Sequence, residues 1–373
     1  MKILCCFILF LCSFFFSIVE GIVPIAVDAS GHEWMDEAIR QEYVYYNSQG
    51  ITLENLEYTW RACKTGPYRN LLKRFQVIDS KVYGPEGIIK NLLIEMTKHY
   101  RVPNVDFIYS YSDDIKEDFI RTYFSKNNAP ILVSAKNKNS YQVICFIDHF
   151  HDICASDGGH GHWHKFIREI NANQDKWPWE KKKAKLFWRG SASDDSYTIS
   201  NWWTFPRGRL VALSRYYPEK LDSAFTYLYL MPPNDVELFK KNIGLSSNVS
   251  IEDHLPYKYQ IALDGVTTSY PGVQWRLLSG CLTFMQESNN VMWFFPALRS
   301  EEHYIPVRHD LSNLLEKIEW AQTHDFEAQQ IVLRAKQFAL THVMPEHVLL
   351  YCYKSLCKYA SLQRFTPRKT IHN

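Results

Sequence analysis

The sequence has no marked excess of charge of either sign. Its 373 residues carry 42 Lys and Arg against 40 Asp and Glu, a formal net charge of +2. That balance excludes the strongly basic surface by which proteins hold nucleic acid through its phosphates, so no nucleic-acid partner is expected. No internal repeat and no low-complexity segment occurs, which excludes a solenoid and a compositionally disordered tail. Cysteine is present but widely spaced. Of nine, Cys5, Cys6 and Cys12 lie in the first 21 residues, leaving Cys63, Cys145, Cys154, Cys281, Cys352 and Cys357. That spacing excludes a small disulfide scaffold and leaves open both disulfides and buried free thiols.

What is present is apolar and aromatic. Hydrophobic residues make up 46% and aromatics 15%, enough length and core for two domains and for surfaces that stack on sugar rings or bases. Met1-Lys2 precedes an apolar run from Ile3 to Val19, closed by Glu20-Gly21. One early cation, an apolar stretch and a polar stop read as a secretory signal. The run is also at the short edge of what spans a bilayer, so residues 1–21 are a cleaved signal or a membrane anchor. The expected location is the secretory pathway or the cell exterior: the endoplasmic reticulum lumen in a eukaryote, the periplasm or envelope in a bacterium. Asn248-Val249-Ser250 is a glycosylation sequon, meaningful in a eukaryotic secretory setting.

Periodicity gives an alternating order of helices and strands. Helical spacing occurs in places over 31–62, and clearly over Gly84–Tyr100 through Ile88, Ile89, Leu92, Leu93 and Met96. Short apolar runs at Val105–Tyr111, Ala129–Ser134 and Tyr141–Ile147 read as strands. Trp177-Pro178-Trp179 and the run Lys181–Lys183 form a joint; such a run is ordinarily a solvated face. Strands are expected at Ala184–Trp188, Lys220–Ala224, Tyr257–Leu263 and Cys281–Gln286. Helices are expected at Leu210–Ser214, from Tyr270, and over Leu311–His324, Phe326–His342 and Glu346–Leu362. This alternation predicts an α/β fold with parallel sheets.

Three segments carry chemistry. The strand ending Trp188-Arg189-Gly190-Ser191 lets backbone amides approach an anion, because glycine has no side chain in the way. Arg207, just before a helix, offers a fork matched to phosphate oxygens. Together they resemble a diphosphate cradle, although a lone Gly-Ser is more often a turn. The second segment, Asp264-Gly265-Val266-Thr267-Thr268-Ser269-Tyr270, lies between a strand and a helix. Its hydroxyls would face a ligand at the carboxyl edge of a parallel sheet, or Ser269 would simply cap the helix. Arg276 lies farther along that helix, and Glu287 closes the next strand, where it could accept from ribose hydroxyls or stand exposed. The third is Asp113-Asp114 beyond the Val105–Tyr111 strand, a candidate general base or an ordinary loop pair. His149, His151, His160, His162 and His164, with Asp148, Asp152 and Asp157, are dense enough to suggest a metal site, but no Cys or Glu set completes one. No metal is expected.

Several of these stretches resemble glycosyltransferase family 90, the capsule-associated-protein type that includes protein O-glucosyltransferases of the endoplasmic reticulum. They are Lys185-Leu-Phe-Trp-Arg-Gly-Ser191, Arg207–Arg215, Tyr257-Lys-Tyr-Gln-Ile-Ala-Leu-Asp-Gly265, His303-Tyr-Ile-Pro-Val307, Asp310-Leu-Ser-Asn-Leu-Leu315 and Trp177-Pro-Trp179. The resemblance is continuous from about Trp177 to Leu362 and thinner over Val105–Ser134. It implies a GT-B architecture, two Rossmann-like domains facing across a cleft. The N-terminal acceptor-side domain would occupy 22–176 and the nucleotide-sugar domain 177–345. A C-terminal helix over 346–373 would pack back on the first domain. It implies an inverting transfer of a hexose or pentose from a UDP-sugar to a hydroxyl of a protein or glycan, without cofactor or metal. Asp113 matches the base. Gly190, Ser191, Arg207 and Val266, Thr267, Thr268, Ser269 and Tyr270 match the donor site, with Arg276 a substitute for an arginine that relatives carry after the aromatic.

The sequence departs from that pattern at Asp114-Ile115, where relatives often carry an aromatic and a proline, so Asp113 and Asp114 both remain candidates for the base. It departs again at Pro271-Gly272, and in the extra residues Asp194–Phe205. A non-catalytic carbohydrate-binding protein that keeps the fold is the alternative reading. Association with a membrane would run through residues 1–21.

Overall fold

The computed structural model describes residues 31–123, 128–148, 162–193 and 197–370. Its strands form two five-stranded sheets. The first is built from β1 (Leu72–Ile78), β2 (Lys81–Tyr83), β3 (Val105–Ser110), β4 (Ile131–Val133) and β6 (Val143–Cys145), with β5 (Lys136–Asn137) lying outside it. The order is β2-β1-β3-β4-β6. The second contains β7 (Lys183–Ala192), β8 (Leu221–Leu228), β9 (Tyr257–Ala262), β10 (Leu282–Gln286) and β12 (Ile305–Val307), in the order β12-β10-β9-β7-β8. β11 (Asn290–Val291) pairs antiparallel with β5, so a short ladder joins the halves of the chain.

Helices alternate with these strands: α1 (Glu33–Glu42), α2 (Leu53–Thr65), α3 (Ile88–His99), α4 (Glu117–Tyr123), α5 (His162–Asn173), α6 (Pro206–Tyr216), α7 (Pro233–Asn242), α8 (Gly272–Leu278), α9 (Leu314–Thr323), α10 (Asp325–His342) and α11 (Pro345–Leu362). The fold is α/β. The second sheet is parallel throughout, and the buried runs Leu186–Trp188, Tyr259–Ala262 and Leu282–Phe284 in β7, β9 and β10 suit an internal parallel sheet.

The first sheet departs from the expected parallel arrangement. β3, β4 and β6 are parallel, but β1 runs antiparallel to both β2 and β3. Asp79 and Ser80 connect β1 to β2 with φ of 49° and 62°. A two-residue loop with positive φ at both positions matches the twist of a hairpin and forces antiparallel pairing. β1 was also obscured in sequence because it is buried yet polar. Arg74 and Gln76 are buried and converge on Asp106 of β3, with Arg74 Nε and Nη2 donating to its two oxygens at 2.7 and 2.8 Å and Gln76 Nε2 at 2.6 Å.

Two apolar clusters fill the interior. One surrounds the first sheet and includes Phe75, Phe107, Phe146, Tyr351 and Tyr359. The other surrounds the second sheet and includes Leu186, Trp188, Phe225, Tyr259 and Phe284. α10 contributes Ile331 to the second and Phe338 to the first. Each such side chain stabilises the fold by about 1.5–3 kcal/mol. α11 lies against the first sheet, with Tyr351 Oη donating to the Cys145 carbonyl at 3.2 Å and Tyr359 Oη to the Asp106 carbonyl at 2.9 Å.

Cys63, Cys145, Cys281, Cys352 and Cys357 are free thiols, the first four buried; Cys154 lies outside the described residues. Lys182 differs from the expected solvated run. It is buried, and its ammonium donates to the Leu255 carbonyl at 2.5 Å. Among the described residues no helix is long and apolar enough to cross a membrane.

Candidate active site

Counted in the chain order of its own strands, the second sheet runs 2-1-3-4-5. The order reverses between β7 and β9, and open parallel sheets bind ligands beyond the carboxyl ends of the strands at such a switch point. β7 ends in Gly190, Ser191 and Ala192; β9 leads into Leu263, Asp264 and Gly265. The geometry of the sheet therefore brings the first two predicted segments to one edge.

Arg207 joins them. Its Nη1 donates to the Ser191 carbonyl at 3.0 Å and to Ser193 Oγ at 2.7 Å. Nε donates to the Asp264 carbonyl at 2.9 Å and Nη2 to the Leu263 carbonyl at 3.0 Å. Burial lowers its pKa. Rather than standing free as a phosphate fork, Arg207 braces the switch point and brings positive charge to it. Pro206 opens α6 at a first-turn position that needs no N–H, which sets Arg207 under the strand ends.

Gly190 has a packing role: a Cβ there would lie 2.5 Å from the Trp188 ring. Gly265 is the glycine that the cradle itself requires, because a Cβ would meet Ser193 Oγ and Arg207 Nη2.

The segment after β9 is a tight loop, with Gly265 N–H donating to the Thr267 carbonyl at 2.8 Å and Tyr270 N–H to the Thr268 carbonyl at 3.1 Å. Val266 is exposed. Thr267 and Thr268 are buried, and among the described residues neither hydroxyl has a hydrogen-bond partner. Arg276 of α8 is buried, its Nη1 donating to the Gly272 carbonyl at 2.9 Å, while among the described residues Nε has no partner. Burial, and then the Arg207 cation, lower its pKa to about 9. Buried polar groups are normally hydrogen-bonded. Two unpartnered hydroxyls and an unpartnered guanidinium nitrogen in one loop and helix suit an anionic, oxygen-rich ligand.

A cavity of about 850 Å³ opens at this edge, lined by Thr268, Ser269, Met285, Glu287, Lys138 and His309 among others. Glu287 is exposed on its wall. Asp264 sits behind it, its Oδ2 accepting from Ser288 Oγ and from Asn290 Nδ2 at 3.0 Å, and burial raises its pKa. The Ser288 and Asn290 partners carry no signal in the sequence; they follow β10, and only the sheet order places them beside Asp264.

Asp113, beyond β3 of the first sheet, reaches the same loop: Tyr270 Oη donates to its Oδ1 at 2.8 Å. Asp114 is placed differently. It is half-buried, and burial raises its pKa, opposed by the Lys116 cation. Of the two carboxylates, Asp113 is the one hydrogen-bonded to the second segment.

The predicted histidine loop falls mostly outside the described residues: His149, His151 and His160, together with Asp152 and Asp157, are among those not described, as is the side chain of His162. Among the described residues no group of three or more His, Cys, Asp or Glu is placed to hold a metal.

Comparison with known proteins gives this site its context. The family model described as glycosyl transferase family 90 matches residues 34–372. The chain is 39% identical over 190 residues to protein O-glucosyltransferase 2 of Danio rerio, covering 51% of this chain and 35% of the relative. It is 30% identical over 218 residues to protein O-glucosyltransferase 1 of Rattus norvegicus, covering 57% and 52%. With the O-glucosyltransferase rumi homolog of Aedes aegypti it shares 27% identity over 307 residues, covering 79% and 72%. The chain thus spans about a third to a half of the length of the first relatives it matches.

Proposed function

The chain belongs to glycosyl transferase family 90, and from that premise we propose that it is an inverting, UDP-sugar-dependent glycosyltransferase acting on a hydroxyl of a protein acceptor, with two Rossmann-like halves of GT-B type. The relatives are named O-glucosyltransferases, which makes glucose the first donor sugar to test. Supporting the reading is one observation above all: Asp113 of the first half is hydrogen-bonded to the loop that follows β9 at the switch point of the second.

In this reading Asp113 takes the proton from the acceptor hydroxyl as its oxygen bonds to the sugar's anomeric carbon. The bond from that carbon to the diphosphate oxygen breaks on the opposite face, and UDP departs with the electron pair. The charge that develops on UDP is met by Arg276, by the Thr267 and Thr268 hydroxyls, by Ser269 and by the positive charge of Arg207 beside Ser191. Protein cations fill the role that a metal would have, so the proposal includes no metal. The apolar run Ile3–Val19 and the exposed Asn248 support a secretory route.

A panel of UDP-sugars, scored for binding by calorimetry and for UDP release, tests the proposal. UDP-glucose binding, with release abolished in Asp113→Asn, is the expected result. Binding without release in the wild-type chain would favour the sugar-binding alternative, and absence of binding to any UDP-sugar would overturn the donor assignment.

A further inference from the structure

Tyr270 was expected among the donor-binding residues, yet its phenol is directed elsewhere. Its Oη donates to Asp113 Oδ1 at 2.8 Å, across 157 residues of sequence and from one half of the fold to the other. The ring packs against the apolar cluster of the first sheet, so it is held as well as hydrogen-bonded.

The loop that carries it is fixed at both ends. Its entry is tied by Arg207 to the Leu263 and Asp264 carbonyls and by the Gly265–Thr267 turn. Its exit enters α8 through the Val273 N–H, which donates to the Ser269 carbonyl at 2.9 Å. At Gly272 a Cβ would lie 2.4 Å from Ser269 Oγ and 2.7 Å from Arg276 Nη1, so glycine lets these two side chains sit close against the turn. Burial first, and then the neighbouring Asp113, push the Tyr270 pKa well above its ordinary value. The phenol therefore stays protonated and remains a donor at any working pH; it is not itself a base.

We propose that Tyr270 is a positioning residue for the transfer: it fixes the Asp113 carboxylate by one oxygen, leaves Oδ2 for the acceptor hydroxyl, and ties the base to the loop whose Thr268 and Ser269 line the donor cavity. This rests on Asp113 being the base. Among the described residues no donor reaches Oδ2. An exposed carboxylate on a loop would otherwise sample several rotamers, and a base must lie within about 2.6–3.2 Å of the proton it removes. A neutral phenol anchored in the other half removes that freedom and sets the distance between base and donor with one bond. A group that acts through another in this way is worth roughly 10–100-fold in activity, by analogy with the outer-shell partners of metal ligands.

The test is Tyr270→Phe in the full chain, assayed by UDP release from UDP-glucose, with UDP binding measured by calorimetry and folding by thermal melting. Two results are expected: kcat falls roughly 10–100-fold, and UDP affinity is unchanged. Weakened UDP binding with an unchanged kcat would make Tyr270 a donor contact and overturn the proposal; so would wild-type kcat with wild-type binding. Should Tyr270→Phe melt early, the cycle with Asp113→Glu decides. If the phenol acts through the Asp113 carboxylate, its removal costs less kcat in the Asp113→Glu background than in the wild type, and equal losses overturn it. Full activity of Asp113→Asn would instead sink the base assignment itself, whatever Tyr270 does.

Discussion

Gly265 and Arg207 stand so close that there is no room for a methyl group between them: a Cβ at 265 would lie 2.8 Å from Nη2 and 3.0 Å from Cζ of the guanidinium, and 2.1 Å from Ser193 Oγ. Four hydrogen bonds hold the guanidinium to Ser191, Ser193, Leu263 and Asp264, so neither Ser193 Oγ nor Arg207 makes room for a methyl without breaking some of them. Gly265→Ala is therefore expected to shift the guanidinium from the switch point and lower UDP-glucose affinity by about tenfold, roughly the loss of one charge-assisted bond. Calorimetry against the wild type checks it; unchanged affinity would mean that the brace does not shape the donor site.

Gly208, one residue beyond Arg207 in α6, gives a sharper sign. Alanine is intrinsically favoured over glycine in a helix by about 1 kcal/mol. Here a Cβ would lie 1.6 Å from the Trp202 carbonyl oxygen, a backbone atom that cannot rotate aside. Gly208→Ala is expected to destabilise by more than about 2 kcal/mol, within the range for overpacking, read as a lower urea midpoint. Stabilisation would show that the segment Trp202–Thr204 is not held against α6.

Much of this arrangement was legible in the sequence, and what was not has physical causes. β7, β9, β10, α3 and α11 announce themselves because burial on their faces requires uninterrupted or regularly spaced apolar residues. β1 does not, because its buried positions include Arg74 and Gln76, whose charge and amide are satisfied by Asp106 rather than by water. The three chemical segments were visible: a diphosphate-type cradle at Gly190-Ser191 and Arg207, a hydroxyl-rich loop between strand and helix at 264–270, and a carboxylate pair at Asp113-Asp114. Sequence could not say that Arg207 faces carbonyl oxygens, since those acceptors belong to no side chain. Nor could it choose between Asp113 and Asp114: adjacent residues differ only in where the chain turns, and the partner that distinguishes them, Tyr270, is far away in sequence.

The Arg74–Asp106 pair itself makes a prediction. Both side chains are buried, and the contacts are bidentate. Removing one partner of a buried pair leaves an uncompensated charge and costs about 3–5 kcal/mol. Asp106→Asn keeps the shape and removes the charge. It is expected to lose stability on that scale in urea unfolding, softened by Glu57, which accepts from Arg74 Nη1 at 2.7 Å. The activity per folded molecule should be retained. A loss below about 1 kcal/mol would mean the pair contributes little beyond its hydrogen bonds.

The last prediction concerns acid. His347 of α11 is buried, its Nδ1 has no partner among the described residues, and its ring centroid lies 5.0 Å from that of His32. His342 lies 5.6 Å from His32 and accepts at Nδ1 from Trp34 Nε1 at 3.3 Å. Burial first, then neighbouring histidines, lower both to about 4. In the unfolded chain a histidine titrates near 6.5. Between those values the unfolded state binds protons that the folded state refuses, so stability rises with pH there. The contribution is complete above about pH 6.5 and is lost as pH falls toward 4. Every tenfold weakening of proton affinity on folding corresponds to about 1.4 kcal/mol; buried His347 should carry most of it, with half-buried His342 screened by solvent. Glu37, Glu95 and Asp325, whose pKa values are lowered in the fold, lose their contribution mainly below pH 4.5, so the two effects separate in pH. The urea midpoint of the wild-type chain should therefore fall between pH 6.5 and 5, and that slope should flatten in His342→Gln/His347→Gln. An equal slope in the double variant would assign the acid sensitivity to groups outside this cluster.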